Sequence, residues 1–484
     1  MPKKNKIQKS KKVIVKKISP KKVFIKNQVF KTNNAGASIR QSDKKGKQKE
    51  FFKYTLLRGM HDILPREEKY WRPFRDNAVK LADHFLYRQI ETPVLEDANL
   101  FIRSVGKGTD IVDKEMYIFE DRDGKKVCLR PEMTASVVRA YIMHGLWSLP
   151  QPLKLWYWAP MFRHDRPQAG RYRQFTQFGC EVFGSDDPAV DSELILMAYN
   201  FFVDLGLPVQ IKINSIGATE ERNKYISALV EYYRGKRSYL CDDCKKRLNK
   251  NPLRLLDCKQ EQCKPIKDEA PQILEWLESE SKGHFMKVLE YLDELAIPYA
   301  LDHTLVRGLD YYNRTVFEIY PAVDGEMNTQ GALGGGGRYD PLIEQMGGHP
   351  SFGSGFSIGV ERAAQYLKQA CEQQICALPK AECNVYVAQL GDQARRNALK
   401  LINNIRNSGL KIDYNLTKNS LKVQLDSANG LKVPYTLILG QKEVIDHTVI
   451  IRDMESGVQE IVEQSKIAKI IAHKLEKIDL KKKR

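Results

Sequence analysis

Four arginines fall within eleven residues in the run Phe162-Arg163-His164-Asp165-Arg166-Pro167-Gln168-Ala169-Gly170-Arg171-Tyr172-Arg173-Gln174-Phe175. Like charges this close repel, so a purely structural loop gains little from them, whereas their forked donors suit a polyphosphate. The plainer alternative is a solvated basic turn. β-rich flanks, Trp156 to Met161 and Thr176 to Gly184, make the segment read as a hairpin with a basic loop. A further arginine follows in Ser354-Gly355-Phe356-Ser357-Ile358-Gly359-Val360-Glu361-Arg362, where glycines let a strand run closely into a helix that carries Arg362 on its first turns. No GxxxxGK[ST] loop is present and no GxGxxG opens a βαβ unit, which disfavours the common nucleotide-binding folds.

A second group with chemical potential is Cys241-Asp-Asp-Cys244 and, thirteen residues on, Cys258-Lys-Gln-Glu-Gln-Cys263. The first spacing is that of a zinc knuckle and the second is looser. Apolar packing of reduced thiols is the favoured reading, with structural zinc as the alternative.

These residues need elements to hold them. Trp71, Phe74, Ala78, Leu81, Ala82 and Phe85 recur at three-to-four spacing and predict a helix over Tyr70 to Leu86. Val127 to Leu129, Leu153 to Trp158 and Arg173 to Val182 read as strands and Met133 to His144 as a helix, which together suggest an antiparallel sheet with helices packed on it. Residues 217–300 are helical and charged, like an inserted subdomain. From Cys383 strands and helices alternate in a compact α/β unit. The expected division is a disordered Lys-rich extension over 1–50, a main domain over 51–378 with its insertion at about 217–300, an α/β domain over 379–465 and a basic tail over 466–484. The fold class is α+β.

Composition sets the outer limits. The chain has 484 residues and a formal charge of +18, but residues 1–50 hold 17 basic side chains against Asp43 and Glu50. The remainder is nearly balanced, 61 basic against 58 acidic. The arm has too few apolar groups to offset the entropy of ordering, and its composition suits a solubilising tail and a grip on RNA phosphates equally. No apolar run approaches the ~18 residues of a membrane span. Nine cysteines, an odd number, without a signal-peptide pattern fit a reducing cytoplasm, and a Lys-rich arm with one arginine, Arg40, is unlike an organelle transit peptide.

A strand bearing Phe-Arg, a loop, a second strand and a later G-x-x-x-G-x-E-R helix resemble the second and third signature motifs of class II aminoacyl-tRNA synthetases, and the helix before Pro93 resembles the first. Leu305-Val306-Arg307-Gly308-Leu309-Asp310-Tyr311-Tyr312-Asn313-Arg314-Thr315-Val316-Phe317-Glu318 and Gly334-Gly335-Gly336-Gly337-Arg338-Tyr339-Asp340 resemble the histidine-specific motifs of the histidyl-tRNA synthetase family. Leu57-Arg58-Gly59-Met60-His61-Asp62-Ile63-Leu64-Pro65 and Leu129-Arg130-Pro131-Glu132-Met133-Thr134 match that family too, so the resemblance runs from about Thr55 to beyond Val462. The family pattern has three glycines where this chain has Gly334 to Gly337, a departure expected to loosen the strand walling the amino-acid pocket.

That resemblance implies ATP-dependent activation of L-histidine, magnesium accompanying ATP, transfer to tRNA(His), a homodimer, and a carboxy-terminal domain that grips the anticodon. It implies that Glu132, Thr134 and Gln177 hold the α-ammonium and that Glu181 and Tyr312, with Tyr311 beside them, face the imidazole. Arg307 would reach the carboxylate and, with Arg163, the α-phosphate; these two are the catalytic candidates. Arg171 and Arg362 would face the outer phosphates and Phe175 would stack on adenine. Arg166 and Gln168 at the loop tip would touch the tRNA acceptor end. Asn251 to Lys259 resembles the family's metal-free insertion. The rival readings are a non-catalytic synthetase-like subunit that senses histidine, and a general RNA-binding protein that would not need the ATP-facing arginines.

Overall fold

A computed structural model describes residues 54–106, 109–322, 331–378 and 383–482. The Lys-rich extension expected over 1–50 lies outside the described residues. From Leu56 onward the chain forms one compact unit. Among the described residues no helix is long and apolar enough to cross a membrane.

The centre is an eight-stranded sheet in the order Arg88–Gln89, Leu153–Phe162, Gln174–Phe183, Gly353–Gly359, Gly334–Arg338, Asn313–Pro321, Val209–Ser215, Tyr299–Leu301. Only the outermost pairs are parallel. Successive side chains on a strand point to opposite faces, and this alternation creates two environments. Phe178, Cys180 and Val182 join Trp156, Phe317, Ile319, Phe356 and Ile358 in one apolar core. Phe175, Gln177 and Glu181, at the intervening positions, belong to the other face, as do Tyr157, Met161 and Val316.

The first core is covered by helices. Glu68–His84 buries Phe74, Ala78, Leu81 and Ala82, the apolar stripe its spacing predicts. Pro188–Val203 and Val360–Glu372 pack beside it, and so does Ser279–Glu294, through Phe285, Val288, Leu289 and Leu292. That last helix falls inside the expected 217–300 insertion yet completes the main core. Its apolar stripe, not its charge, decides where it sits.

On the opposite face, a three-stranded sheet of Leu95–Asp97, Lys126–Leu129 and Tyr117–Glu120 feeds the helix Thr134–Met143. Buried Arg130 anchors that connection by donating to the carbonyls of Thr92 at 2.6 Å and Pro160 at 2.9 Å. The helix Thr219–Gly235 and the cysteine-bearing segment after it pack against the same side.

The carboxy-terminal part is a five-stranded sheet in the order Ile412–Tyr414, Val385–Gln389, Tyr435–Leu439, Thr448–Asp453, Gln459–Glu463, parallel among the first three and antiparallel beyond. The segment expected to be a basic tail from 466 is instead the helix Ile467–Lys482, with Ile467 and Ile471 buried in this domain's core and Leu475 and Ile478 partly so. Their spacing places four apolar groups on one face, while the lysines between them are what a composition reading sees.

Candidate active site

Opposite the helical core, side chains from both strands of the Arg-bearing hairpin, the Arg307 loop and the glycine strand line a cleft of about 390 Å³, a size usual for small-molecule sites. Glu132, Thr134, Arg163, Arg171, Phe175, Gln177, Arg307, Tyr311, Tyr312 and Arg362 all reach it.

One part of the cleft is acidic and hydroxyl-rich. Glu132 is buried, and its carboxylate accepts the N–H groups of Thr134 at 2.8 Å and Ala135 at 2.9 Å, which open the following helix. Burial pushes the Glu132 carboxyl up, against the pull of those two bonds. Gln177 donates to Ser357 Oγ at 3.3 Å and its Oε1 is buried with no partner among the described residues. Such an orphan acceptor costs ~1–3 kcal/mol unless a donor arrives.

Glu181 lies below the lining, accepting hydroxyls from Thr134 at 2.7 Å, Tyr157 at 3.4 Å and Tyr339 at 2.5 Å. Burial pushes its carboxyl up to about 8; those hydroxyl bonds oppose the shift and the nearby Glu132 reinforces it. Backbone geometry makes room for it: Gly355 is its cross-strand partner, and a Cβ there would come 1.8 Å from Glu181 Oε2.

The cationic part is crowded by like charges. Arg163 donates to the Pro131 carbonyl at 2.8 Å and its guanidinium covers the Phe175 ring at 5.3 Å. Arg362 donates to the Ala332 carbonyl, and burial together with Arg171 and Arg163 lowers it to about 10. Burial opposes the Arg307 cation too, but Tyr312 and Glu318 outweigh it and hold the group firmly protonated. Arg307 ion-pairs with Glu318 at 2.5 Å and sits over the Tyr312 ring at 5.5 Å, while its buried Nε has no partner among the described residues. An anion bound beside Arg362 would offset the repulsion that Arg171 and Arg163 exert on it.

The four consecutive glycines form the strand Gly334–Arg338, paired on both sides. A Cβ at Gly335 would lie 2.4 Å from the Phe317 carbonyl and 2.8 Å from Arg307 Nη1. The glycine run is therefore a tightly packed wall, contrary to the loosening expected of it.

Not every expected contact converges. Arg166 and Gln168 are exposed at the loop tip and do not line the cleft. Arg173 serves the loop itself, donating to the Arg58 carbonyl at 3.2 Å, while Tyr172 stacks on His61 at 4.9 Å. Cys241, Cys244, Cys258 and Cys263 gather in a separate cluster. Residues given no role from sequence also enter: Tyr157, Tyr320 and Glu361 line the cleft, as do Arg254, Asp257 and Lys259 of the insertion, and Tyr339 supports Glu181. Tyr339 and Glu318 stand inside the two histidine-motif segments, and Arg254 to Lys259 inside a segment that matches the family, so those signals were present. Tyr157 had none beyond strand alternation.

Against known families, the Histidyl-tRNA synthetase model matches residues 59–363 and the Anticodon binding domain model matches 384–474. A histidine–tRNA ligase of Dehalococcoides mccartyi is 45% identical over 407 residues, covering 84% of this chain and 96% of that protein. One of Listeria monocytogenes is 44% identical, covering 85% and 96%. The structure of apo S. aureus histidyl-tRNA synthetase superposes with a TM-score of 0.70 at 35% identity, covering 87% of this chain and all of that one.

Proposed function

The chain belongs to the histidyl-tRNA synthetase family, and from that premise we propose how its cleft works as an ATP-dependent histidine–tRNA ligase. A carboxylate oxygen of L-histidine attacks the α-phosphorus of ATP, the bond to the bridging oxygen breaks, and pyrophosphate leaves histidyl-adenylate behind. A terminal ribose hydroxyl of tRNA(His) then takes the acyl group and AMP departs. The carrying observation is that one cleft holds both a buried acceptor without a partner among the described residues, Gln177 Oε1, and Arg362, whose cation Arg171 and Arg163 disfavour.

In this reading Glu132, Thr134 and Gln177 hold the α-ammonium, and the imidazole lies between Tyr312 and Glu181 with Tyr311 against it. Arg307 and Arg163 span the carboxylate and α-phosphate, where charge builds in the transition state. Arg171 and Arg362 take the outer phosphates, and Phe175, already under Arg163, takes the adenine face. Glu361 offers a hard oxygen donor for magnesium: its Oε1 accepts the Thr176 N–H at 2.7 Å and its Oε2 is without a partner among the described residues. Magnesium bound with ATP supplies charge neutralisation at the leaving phosphates. Arg166 and Gln168, exposed at the loop tip, remain available to the tRNA acceptor end, and the carboxy-terminal domain to the anticodon. A cytoplasmic homodimer completes the assignment; exposed Leu95, Ile118 and Phe119 on the small three-stranded sheet supply apolar surface for an interface.

The test is ATP–pyrophosphate exchange without tRNA. Exchange should depend on histidine among the amino acids, and Arg307→Ala should lower kcat by about 10²–10³, the loss expected when a charge-stabilising donor is removed, with a smaller change in the histidine KM. A folded protein that binds histidine and catalyses no exchange would overturn the ligase reading in favour of a sensor.

A further inference from the structure

The four sulfurs of Cys241, Cys244, Cys258 and Cys263 lie within 4.8 Å of one another, and Cys241 Sγ is 3.8 Å from Cys258 Sγ. Four thiolates at the ~2.3 Å bond length of tetrahedral zinc stand about 3.8 Å apart along each edge. Sequence spacing alone favoured reduced thiols packed as apolar groups, and Cys244, Cys258 and Cys263 do share a buried apolar cluster with Leu248, Leu255 and Leu256, but their sulfurs also converge on one point and accept backbone donors. The Cys241 N–H donates to Cys263 Sγ at 3.3 Å and the Cys244 N–H to Cys241 Sγ at 3.5 Å, so backbone donors are spent on sulfur acceptors. Thiolates, not thiols, reward such donors.

We propose that this quartet is a structural tetrathiolate zinc site that staples the inserted segment. Binding Zn²⁺ displaces four thiol protons to solvent and leaves a centre of charge 2−. Lys245, Lys259 and Lys264 directly follow three of the ligands and place cations beside it. Soft sulfur donors in a closed tetrahedron favour zinc over hard cations, and four protein ligands leave no open position for catalysis.

The segment needs a staple. Between Cys241 and Lys264 it has only the nine-residue helix Asp242–Lys250 and short 3-10 turns, with Leu248, Leu255 and Leu256 as its buried apolar side chains. Its leucines join the core shared with the helix Thr219–Gly235, but regular hydrogen bonding fixes little of the path from 251 to 263. Yet it delivers Arg254, Asp257 and Lys259 to the cleft, and Asn251 to Asp310 at 2.8 Å beside Tyr311. The metal thus fixes one wall of the active site without touching substrate.

The test is the metal content of the full chain, purified without chelator and passed over a chelating resin, read by mass spectrometry. The expected result is about one zinc per chain, falling to background in Cys258→Ser and Cys263→Ser. Cobalt exchanged into the wild type should give the visible absorption of a tetrahedral tetrathiolate, a readout that stands even where a serine variant fails to fold. Folded wild-type protein with less than about a tenth of a zinc per chain, or with a Cys241–Cys258 disulfide in its place, would overturn the proposal.

Discussion

The role proposed for Glu181 makes histidine binding pH-dependent in a defined direction. A carboxylate is the stronger, charge-assisted acceptor for the imidazole N–H, yet in the free protein burial holds Glu181 protonated up to about pH 8. Binding the neutral ring between a Glu181 carboxylate and the Tyr312 hydroxyl therefore releases a proton. At pH 7.0 the cost of deprotonation is a factor of about 11, or ~1.4 kcal/mol, and at pH 8.0 a factor of about 2. Affinity should rise about fivefold between these values, with ~0.9 proton released per histidine at pH 7.0. Calorimetry without ATP, in buffers of different ionisation enthalpy, reads both quantities. Glu181→Gln keeps a carbonyl acceptor without a titrating group and should bind more weakly with a flat profile. A flat wild-type profile, or a Glu181→Gln variant with the wild-type slope, would refute the assignment, the latter by moving the titration to Glu132 or Glu361.

Other consequences are equally direct. The folded state holds the Glu181 proton more tightly than the unfolded chain, whose value is 4.5, so this group lowers stability as pH rises from about 4.5 to 8. The melting advantage of Glu181→Gln over wild type should therefore grow between pH 5 and 8.5; an advantage that shrinks would contradict this. Gly355→Ala places a Cβ 1.8 Å from Glu181 Oε2 and 2.6 Å from the Cys180 carbonyl, and should raise the histidine KM more than tenfold while sparing that of ATP; an unchanged histidine KM in the exchange assay counts against it. Asp191 meets the fully buried Arg338 at 3.3 Å, Ser354 at 3.1 Å and His284 at 2.9 Å, so Asp191→Ala should cost about 3–5 kcal/mol in urea unfolding, and a loss below ~1 kcal/mol would show the charge to be satisfied otherwise.

Much of the site was named through the motifs that resemble the family, and the strand period accounts for why those residues share a face. Phe175, Gln177 and Glu181 are odd-numbered neighbours on one strand, and the large apolar Phe178, Cys180 and Val182 occupy the even positions, so the sequence itself separates pocket from core. The helix Glu68–His84 was legible for the same kind of reason. What stayed hidden depends on distant pairing. Nothing local distinguishes Tyr157 and Tyr339 from other sheet tyrosines until register brings both to Glu181. Arg173 looked like one more phosphate ligand, and only the approach of Arg58 and Gly59 reveals it as a loop anchor. Ile467–Lys482 was masked by its lysines, whose charge drew attention from an apolar stripe with a partner domain to cover it.

The backbone-built wall of the cleft limits how its selectivity can be altered. At Gly335 and Gly355 the limiting neighbours include the Phe317 and Cys180 carbonyls, which no rotamer change can move aside. Side-chain substitution therefore cannot shrink the cavity from that side without distorting the sheet. Among the lining side chains, Tyr157, Tyr311 and Tyr312 can vary in bulk and in hydroxyl placement. A variant library aimed at imidazole analogues should spend its diversity there and leave the glycines alone, because the tyrosines are the adjustable half of a mould whose other half is main chain.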